Sequence, residues 1–226
     1  MNKINIAIDG PAGAGKSTVA RMVAEQLGFT YIDTGAMYRV VTWKALKHRV
    51  DVNDESALVK LLKDTEIDLV QAGLESKVYC DGTDRSEEIR APEVTERVSY
   101  VAAHRKIRED LVKRQQAFAA SGGTVMDGRD IGTAVLPDAK LKVFLTASVE
   151  ERARRRYDEQ IEKGISTDFD QLKLDIETRD RLDTEREVTP LRQAEDAILL
   201  NSTDMSIEDV VSTIIGLKDK GDDHLE

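Results

Sequence analysis

The sequence has 226 residues, one cysteine and three histidines, and its 33 basic and 43 acidic side chains give a formal net charge of −10. An apolar fraction of 40% excludes a disordered chain, and no apolar run approaches the roughly 18 residues that a membrane-spanning helix needs. One thiol and three histidines exclude an internal disulfide and a clustered metal site. Because the N-terminus shows no apolar leader, we expect a cytoplasmic protein, and the acidic balance argues against binding to nucleic-acid polymers.

Apolar runs that alternate with helical patterns predict a doubly wound α/β fold with a parallel sheet of about five strands. The first run, KINIAIDG, is rich in isoleucine, as is typical of a strand that is buried on both faces. The other predicted strands are Thr30–Ile32 and three further runs expected to be buried, at Thr124–Met126, Leu141–Leu145 and Ala197–Leu200.

The pattern changes between about residues 63 and 103. TEIDLVQ and SKVYCDG, which Gly73 separates, predict a hairpin or small meander. A helix is expected over Ala91–Ala103, because Pro92 is tolerated in a first turn. We therefore expect residues 63–103 to form a small α+β insert, and residues 1–62 and 104–226 to form the core domain.

The segment GPAGAGKST matches the phosphate-binding pattern G-x-x-x-x-G-K-[ST] at every fixed position, between a predicted strand and a predicted helix. Its glycines let successive backbone N–H groups face one concavity, and the helix N-terminus adds positive charge. Lys16 is expected to reach the β- and γ-phosphates, and the Ser17 hydroxyl to bind Mg²⁺. The residues predicted to bind ATP are Gly10, Pro11, Ala12, Gly13, Ala14, Gly15, Lys16, Ser17 and Thr18.

Arginines form several groups after this loop. Arg39 follows the second strand, and Arg129 lies in MDGRDIGT at the carboxyl end of a core strand, where open α/β sheets bind ligands. Two further groups are EERARRR, at 150–156, and TRDRLDTER, at 178–186. A guanidinium group can donate two parallel hydrogen bonds to one phosphate group, so the grouping of arginines indicates a second anionic ligand. Surface ion pairs are an alternative explanation for some of these arginines.

Taken together, GPAGAGKST, DTGAMYR, MDGRDIGT, EERARRR and TRDRLDTEREVTPL resemble, in order and spacing, the motifs of bacterial cytidylate kinases. The resemblance covers essentially the whole chain, and residues 63–103 resemble the nucleoside-monophosphate-binding insert of that family. DTGAMYR has Thr34 and Met37 where relatives often have serine and another apolar residue, and both changes preserve the chemistry.

The resemblance implies that Ser99, Arg108 and Asp130 hold the cytosine ring. A carboxylate accepts a hydrogen bond from the exocyclic amine of cytosine, whereas uracil presents a carbonyl oxygen at that position. Asp130 would therefore select against UMP.

The resemblance also implies the residues around the rest of the acceptor and at the transferred group. A lid is expected at about residues 150–168. The residues predicted to bind CMP are Thr34, Tyr38, Arg39, Ser99, Arg108, Arg129, Asp130, Arg179, Asp183 and Arg186, and those expected to act in catalysis are Lys16, Arg129, Arg155 and Arg186.

The sequence therefore predicts a kinase that transfers the γ-phosphoryl group of MgATP to CMP or dCMP, acts as a monomer and binds neither membrane nor nucleic-acid polymer. Two alternatives stay open: a P-loop kinase for another small acceptor, and a nucleotide-binding switch. Against the switch, the sequence contains no N-K-x-D motif for selecting guanine, and a switch would not explain the arginine groups.

Two features need separate interpretation. Asp9, Asp33 and Asp127 follow strand ends near the loop, where each could orient Mg²⁺ through water, cap a helix or anchor the loop. Residues 193–226 contain nine acidic and two basic side chains, so most of the excess negative charge lies outside the predicted site.

Overall fold

Strands and helices alternate along the chain in a computed structural model that describes residues 4–72 and 75–222. The strands are β1 (Ile6–Asp9), β2 (Thr30–Asp33), β3 (Ile67–Ala72), β4 (Glu75–Cys80), β5 (Thr83–Asp84), β6 (Thr124–Gly128), β7 (Leu141–Thr146) and β8 (Ile198–Asn201). The helices are α1 (Lys16–Leu27), α2 (Thr34–Lys47), α3 (Glu55–Lys63), α4 (Pro92–Ala103), α5 (Arg105–Ala119), α6 (Val149–Glu162), α7 (Phe169–Glu185) and α8 (Ile207–Asp222). Within this part of the chain, every helix falls short of the length or the hydrophobicity that crossing a bilayer requires.

A five-stranded parallel sheet in the order β2–β6–β1–β7–β8 forms the centre of the protein, as the sequence predicted. Ile6 of β1 pairs with β6 on one side and with β7 on the other. Ile6 and Ile8 pack with α1 and α8, whereas Ala7 faces a cluster that includes Ala119 of α5. Helices therefore cover both faces of the central strand, which explains its continuous apolar sequence.

The prediction of a buried last strand is wrong. The strand begins at Ile198, and the side chains of Ile198 and Leu199 are 40% and 56% exposed. Among the strands in the described ranges, β8 lies at the edge of the sheet and pairs with β7 alone. A short apolar run does not distinguish an edge strand from a central one, because that difference depends on which strands lie beside it.

The elements predicted for residues 63–103 are present. β3, β4 and β5 form an antiparallel sheet, and α4 begins with Pro92 in its first turn. The turn expected at Gly73 lies outside the described residues. Val78 of β4 and Val98 of α4 share one hydrophobic cluster with Val41 of α2 and Leu111 of α5. This segment therefore packs on the rest of the protein through a common core.

The carboxyl ends of the parallel strands meet along one edge of the sheet, and short connections there start the helices. β1 leads through the predicted phosphate loop to α1, and β2 leads directly into α2, whose N-terminus is capped by Asp33. β6 ends at Gly128 and is followed by a single π-helical turn at Ile131–Val135, a rare geometry that is often found at functional sites. The candidate site lies along this edge.

Candidate active site

The phosphate loop adopts a backbone that requires glycine at its start. Gly10 has φ +151°, and a Cβ atom there would lie 1.9 Å from a backbone carbonyl oxygen of β7. The Lys16 ammonium is buried and donates to the carbonyl oxygen of Pro11 at 2.7 Å. Burial, followed by the charge of Arg129, lowers the pKa of Lys16. Binding an anion beside this ammonium would offset both effects.

Beside the loop, Ser17 is part of a hydrogen-bonded group of oxygens. Its hydroxyl donates to Asp127 at 2.8 Å, and the Tyr31 hydroxyl donates to the other oxygen of the same carboxylate at 2.8 Å. Burial, followed by the negative charge of Asp33, raises the pKa of Asp127 to about 6. A hydroxyl and a carboxylate suit Mg²⁺, which also takes phosphate oxygens as ligands. In the described ranges no cluster of three or more His, Cys, Asp or Glu side chains could hold a metal ion.

The other two strand-end aspartates have structural partners. Asp33 accepts from the backbone N–H of Ala36 at 2.9 Å and so caps α2. Asp9 accepts from the backbone N–H groups of Ile131 and Gly132, both at 2.7 Å, and holds the π-helical turn against β1. Asp33 therefore caps a helix, as one expectation had it, whereas Asp9 anchors the turn after β6 rather than the phosphate loop. Of the three aspartates, Asp127 is the one that accepts from Ser17.

A cavity of about 60 Å³ brings together most of the residues predicted for the acceptor. It lies among α2, α4, α5, α7 and the segment after β6, which are far apart in sequence. The predicted residues that line it are Thr34, Tyr38, Ser99, Arg108, Arg129, Asp130, Arg179, Asp183 and Arg186.

One part of this cavity is built around a buried ion pair between Arg108 and Asp130. Arg108 also donates to the Ala102 carbonyl oxygen at 2.9 Å and to the Thr189 hydroxyl at 2.6 Å. Arg186 lies 3.6 Å from the other carboxylate oxygen of Asp130. With both oxygens beside guanidinium groups, the Asp130 carboxylate is held in one orientation.

Arg129 and Arg179 line the same cavity, where few hydrogen-bond acceptors are available to their guanidinium groups. Arg129 donates to Asp183 at 2.8 Å, and Ser99 donates to the other oxygen of that carboxylate at 3.0 Å. The Nε atom of Arg179 is buried and lacks a hydrogen-bond partner among the described residues. Burial, followed by the charge of Arg129, lowers the pKa of Arg179 to about 10. A buried guanidinium with an unused donor beside a second guanidinium is the arrangement expected at an anion site.

Arg39 lies next to this cavity rather than in its lining. Its guanidinium donates to the Thr95 hydroxyl at 2.8 Å and to the Ile89 carbonyl oxygen at 3.2 Å. Burial, followed by the charge of Arg179, lowers the pKa of Arg39 to about 9. The two side chains are thus close enough to repel each other, and an anion between them would relieve that repulsion.

A larger cavity of about 380 Å³ connects the acceptor side with the phosphate loop. Ala12 and Gly13 line it on the loop side, and Ser99 and Arg179 line both cavities. The two cavities therefore lie side by side, with the phosphate loop beside the larger one and the Arg108–Asp130 pair beside the smaller one. Together they are called the cleft.

The arginines of α6 point in different directions. Arg155, which the sequence analysis selected, donates to Glu151 at 2.9 Å and to the Ser202 carbonyl oxygen at 2.6 Å. Arg156 lines the larger cavity, whereas Arg154 lies over the ring of Phe169. Helical spacing allows only some of these arginines to face the cleft, so the role of Arg155 at the transferred group stays a prediction.

Two residues of the site, Thr189 and Tyr31, were not identified from the sequence. Thr189 has φ +42°, which is unusual for a β-branched residue that precedes proline. Its carbonyl oxygen accepts from Arg186 at 2.8 Å, while its hydroxyl accepts from Arg108. The sequence carries no signal for these contacts beyond the position of Thr189 in EVTP, just after the last arginine group.

Comparison with known proteins gives consistent results across the chain. The family model described as cytidylate kinase matches residues 6–220. Proteins named cytidylate kinase from Bacillus thuringiensis (strain Al Hakam) and Bacillus cereus (strain AH187) are each 55% identical over 215 residues, which is 95% of this chain and 96% of each relative.

Among solved structures, an uncharacterized protein from Eubacterium ventriosum has a TM-score of 0.52 at 13% identity, covering 96% of this chain and 99% of its own. This likeness concerns the fold alone. The family match and the identity to the Bacillus proteins confirm the resemblance that the motifs indicated, and the chain belongs to the cytidylate kinase family.

Proposed function

We propose that this protein transfers the γ-phosphoryl group of MgATP to CMP or dCMP by in-line displacement, giving CDP or dCDP and ADP. The observation that carries the proposal is the cleft of two adjoining cavities, with the phosphate loop beside one cavity and the Arg108–Asp130 pair in the lining of the other. Arg179 lies where the two halves of the cleft join. Such a cleft can hold a donor triphosphate and an acceptor monophosphate with their phosphates facing each other.

Selection of cytosine follows from the way Asp130 is held. Arg108 and Arg186 lie beside its two oxygens, so the carboxylate cannot turn away from a base in the cavity. It can accept a hydrogen bond from the exocyclic amine of cytosine but would face an oxygen of uracil. In the proposed complex, Arg108 donates to the cytosine acceptors, and Ser99 contributes its hydroxyl.

The arginines and Lys16 would supply charge where it develops during transfer. Lys16 and the backbone N–H groups of residues 13–18 would bind the donor phosphates. Arg39, Arg129 and Arg186 would bind the acceptor phosphate, and Arg155 would approach from the lid. Because these groups are held in place before the reaction, stabilising the transferring group needs little rearrangement.

Ser17 and Asp127 are the residues proposed to hold Mg²⁺ together with the nucleotide phosphates. The bound ion would supply charge neutralisation between the β- and γ-phosphates. Thr34 and Tyr38 would contact the acceptor nucleotide, whereas Arg179 and Asp183 would contact its sugar and phosphate. Residues 63–103 and the lid at about 150–168 are proposed to close over both substrates and exclude water, which limits hydrolysis of ATP. A monomeric state and a cytoplasmic location remain part of the prediction.

The proposal is tested by supplying ATP and Mg²⁺ with CMP, dCMP, UMP, AMP and GMP separately and quantifying the diphosphates. We expect CMP to exceed UMP by about a hundredfold in kcat/KM, because a buried carboxylate that faces a carbonyl oxygen costs a few kcal/mol. Equal turnover of UMP and CMP would remove the role of Asp130. If no monophosphate is phosphorylated, the proposed function is wrong.

A further inference from the structure

One residue of the phosphate loop is held from both sides by side chains that the proposed function does not use. The backbone N–H of Ala12 donates to Asp180 Oδ1 at 3.2 Å. The carbonyl oxygen of the same residue accepts from Arg152 Nη1 at 2.8 Å. The backbone N–H of Ala12 therefore faces helix α7, and its carbonyl oxygen faces the lid helix α6.

Arg152 and Asp180 are themselves an ion pair, with 2.6 Å between Arg152 Nη1 and Asp180 Oδ2. The Arg152 side chain is only 4% exposed, and its Nε donates to the Ala147 carbonyl oxygen at 3.0 Å. A Cβ atom at Gly13 would lie 3.3 Å from Arg152 Cβ, so α6 packs directly on the loop. Truncating one partner of so enclosed a pair leaves the other charge buried without compensation.

The position of Asp180 in α7 connects this contact with the acceptor side of the cleft. Its neighbour Arg179 lines both cavities, and Asp183, on the same helix, binds Ser99 and Arg129. A helix is stiff over this distance, so α7 transmits the position of the loop to the residues around the acceptor. Movement of Ala12 relative to Asp180 changes the distance between the two phosphate sites.

We propose that Arg152 and Asp180 form a clamp on Ala12 that sets the position of the phosphate loop relative to α7, and that both are positioning residues for phosphoryl transfer. The inference rests on the proposed function, because it assigns the clamp to the same donor and acceptor sites. The two side chains contact Ala12 and each other. The clamp therefore governs the rate of transfer rather than the affinity for either nucleotide.

Asp180→Ala is the direct test. We expect kcat to fall by roughly tenfold to a hundredfold, since a displacement of about 1 Å between reacting groups costs that much. The Kd of CMP, measured by calorimetry, should stay within about twofold, whereas the melting temperature should fall, because Arg152 loses the carboxylate that compensates its buried charge. Asp180→Asn keeps an acceptor for the Ala12 N–H and should recover part of the rate.

Glu177→Gln is the matched control, because it removes one negative charge from an exposed position of the same helix. Arg152→Lys, alone and combined with Asp180→Ala, shows whether the two residues act as a unit. If they do, the double variant loses little more than the worse single variant. Additive losses would argue against a clamp.

Each outcome has a defined consequence. A kcat within twofold of the unchanged protein in the folded Asp180→Ala and Asp180→Asn variants overturns the clamp. A loss of CMP affinity that parallels the loss of kcat also overturns it, because it indicates a purely structural role. Failure of the unchanged protein to phosphorylate CMP overturns the proposed function, and the role of the clamp with it, whereas a normal rate there with unaffected variants overturns the clamp alone.

Discussion

At the level of single residues, the cleft is characterised by guanidinium groups that lie close together and are partly removed from solvent. Arg179 is partly buried, its buried Nε has no hydrogen-bond partner within the described part of the chain, and it lies near Arg129. Burying such a group without an anion is unfavourable, because neither desolvation nor repulsion is compensated. In the proposed complex an acceptor phosphate would provide the missing charge, so part of the binding free energy would come from relieving a cost that is already present in the free protein.

Replacing Arg129 should separate the two nucleotide sites. We expect Arg129→Ala to weaken CMP binding by roughly tenfold to a hundredfold, the value of one charge-assisted contact to a phosphate, while the Kd of ATP changes far less. Lys16→Ala should instead lower kcat, with CMP affinity largely retained. Calorimetric titration of each nucleotide, combined with steady-state kinetics, measures both effects.

Arg97→Ala, an exposed arginine of α4, is the control for loss of a positive charge and should leave both affinities unchanged. An unaltered CMP affinity in Arg129→Ala would mean that the acceptor phosphate binds elsewhere.

Among the secondary-structure elements, helix α2 carries three of the residues predicted to bind the acceptor, Thr34, Tyr38 and Arg39. Its first turn is fixed by Asp33, which accepts from Ala36 and also pairs with Arg90 at 3.1 Å. The cap therefore links strand β2, helix α2 and the segment before α4. Its geometry sets where the acceptor residues point.

Removing this cap should affect both stability and activity. Asp33→Ala is expected to lower the free energy of unfolding by about 1–2 kcal/mol and to raise the KM for CMP, because the start of α2 loosens. Asp33→Asn should restore most of the stability, since asparagine caps helices as well as aspartate does. Chemical denaturation and CMP kinetics provide the two measurements.

The matched control is Asp54→Ala. Asp54 caps α3 in the same way, accepting from Ala57 at 3.0 Å, but α3 contributes no residue to either cavity. A similar loss of stability without a change in KM is expected there. If both variants change the KM for CMP equally, the cap of α2 has no special connection with the site.

At the level of the whole molecule, a buried carboxylate links stability to pH. Burial raises the pKa of Asp9 to about 6 from an ordinary value of 3.8. Between these values the folded protein binds more protons than the unfolded chain, so its free energy of unfolding falls as the pH rises from about 4 to 6. Hydrogen bonds from Ile131 and Gly132 oppose this shift but do not cancel it.

Asp9→Asn removes this titration. The free energy of unfolding of the unchanged protein, relative to that of the variant, should therefore fall by on the order of 3 kcal/mol between pH 4 and 6.5. Urea denaturation of both proteins at several pH values measures the difference, in which the titration of Asp127 cancels because both proteins contain it. Parallel pH profiles would show that Asp9 does not titrate in this range.

The sequence by itself determined the features that depend on local order along the chain. The phosphate loop is a fixed pattern within nine residues, and the parallel sheet follows from apolar runs that alternate with helical spacing. The residues predicted around the acceptor were identified through the motif resemblance, and all but Arg39 line one cavity. Local spacing suffices for the phosphate loop and the sheet because it fixes backbone geometry directly.

Only the tertiary structure decided contacts between distant segments and the neighbours of each strand. Ser17 meets Asp127 across 110 positions, and Ala12 meets Asp180 across 168. The exposure of β8 depends on its place at the sheet edge. Such contacts depend on how helices and strands pack against each other, and a linear pattern does not contain the position of a side chain relative to another that lies a hundred residues away.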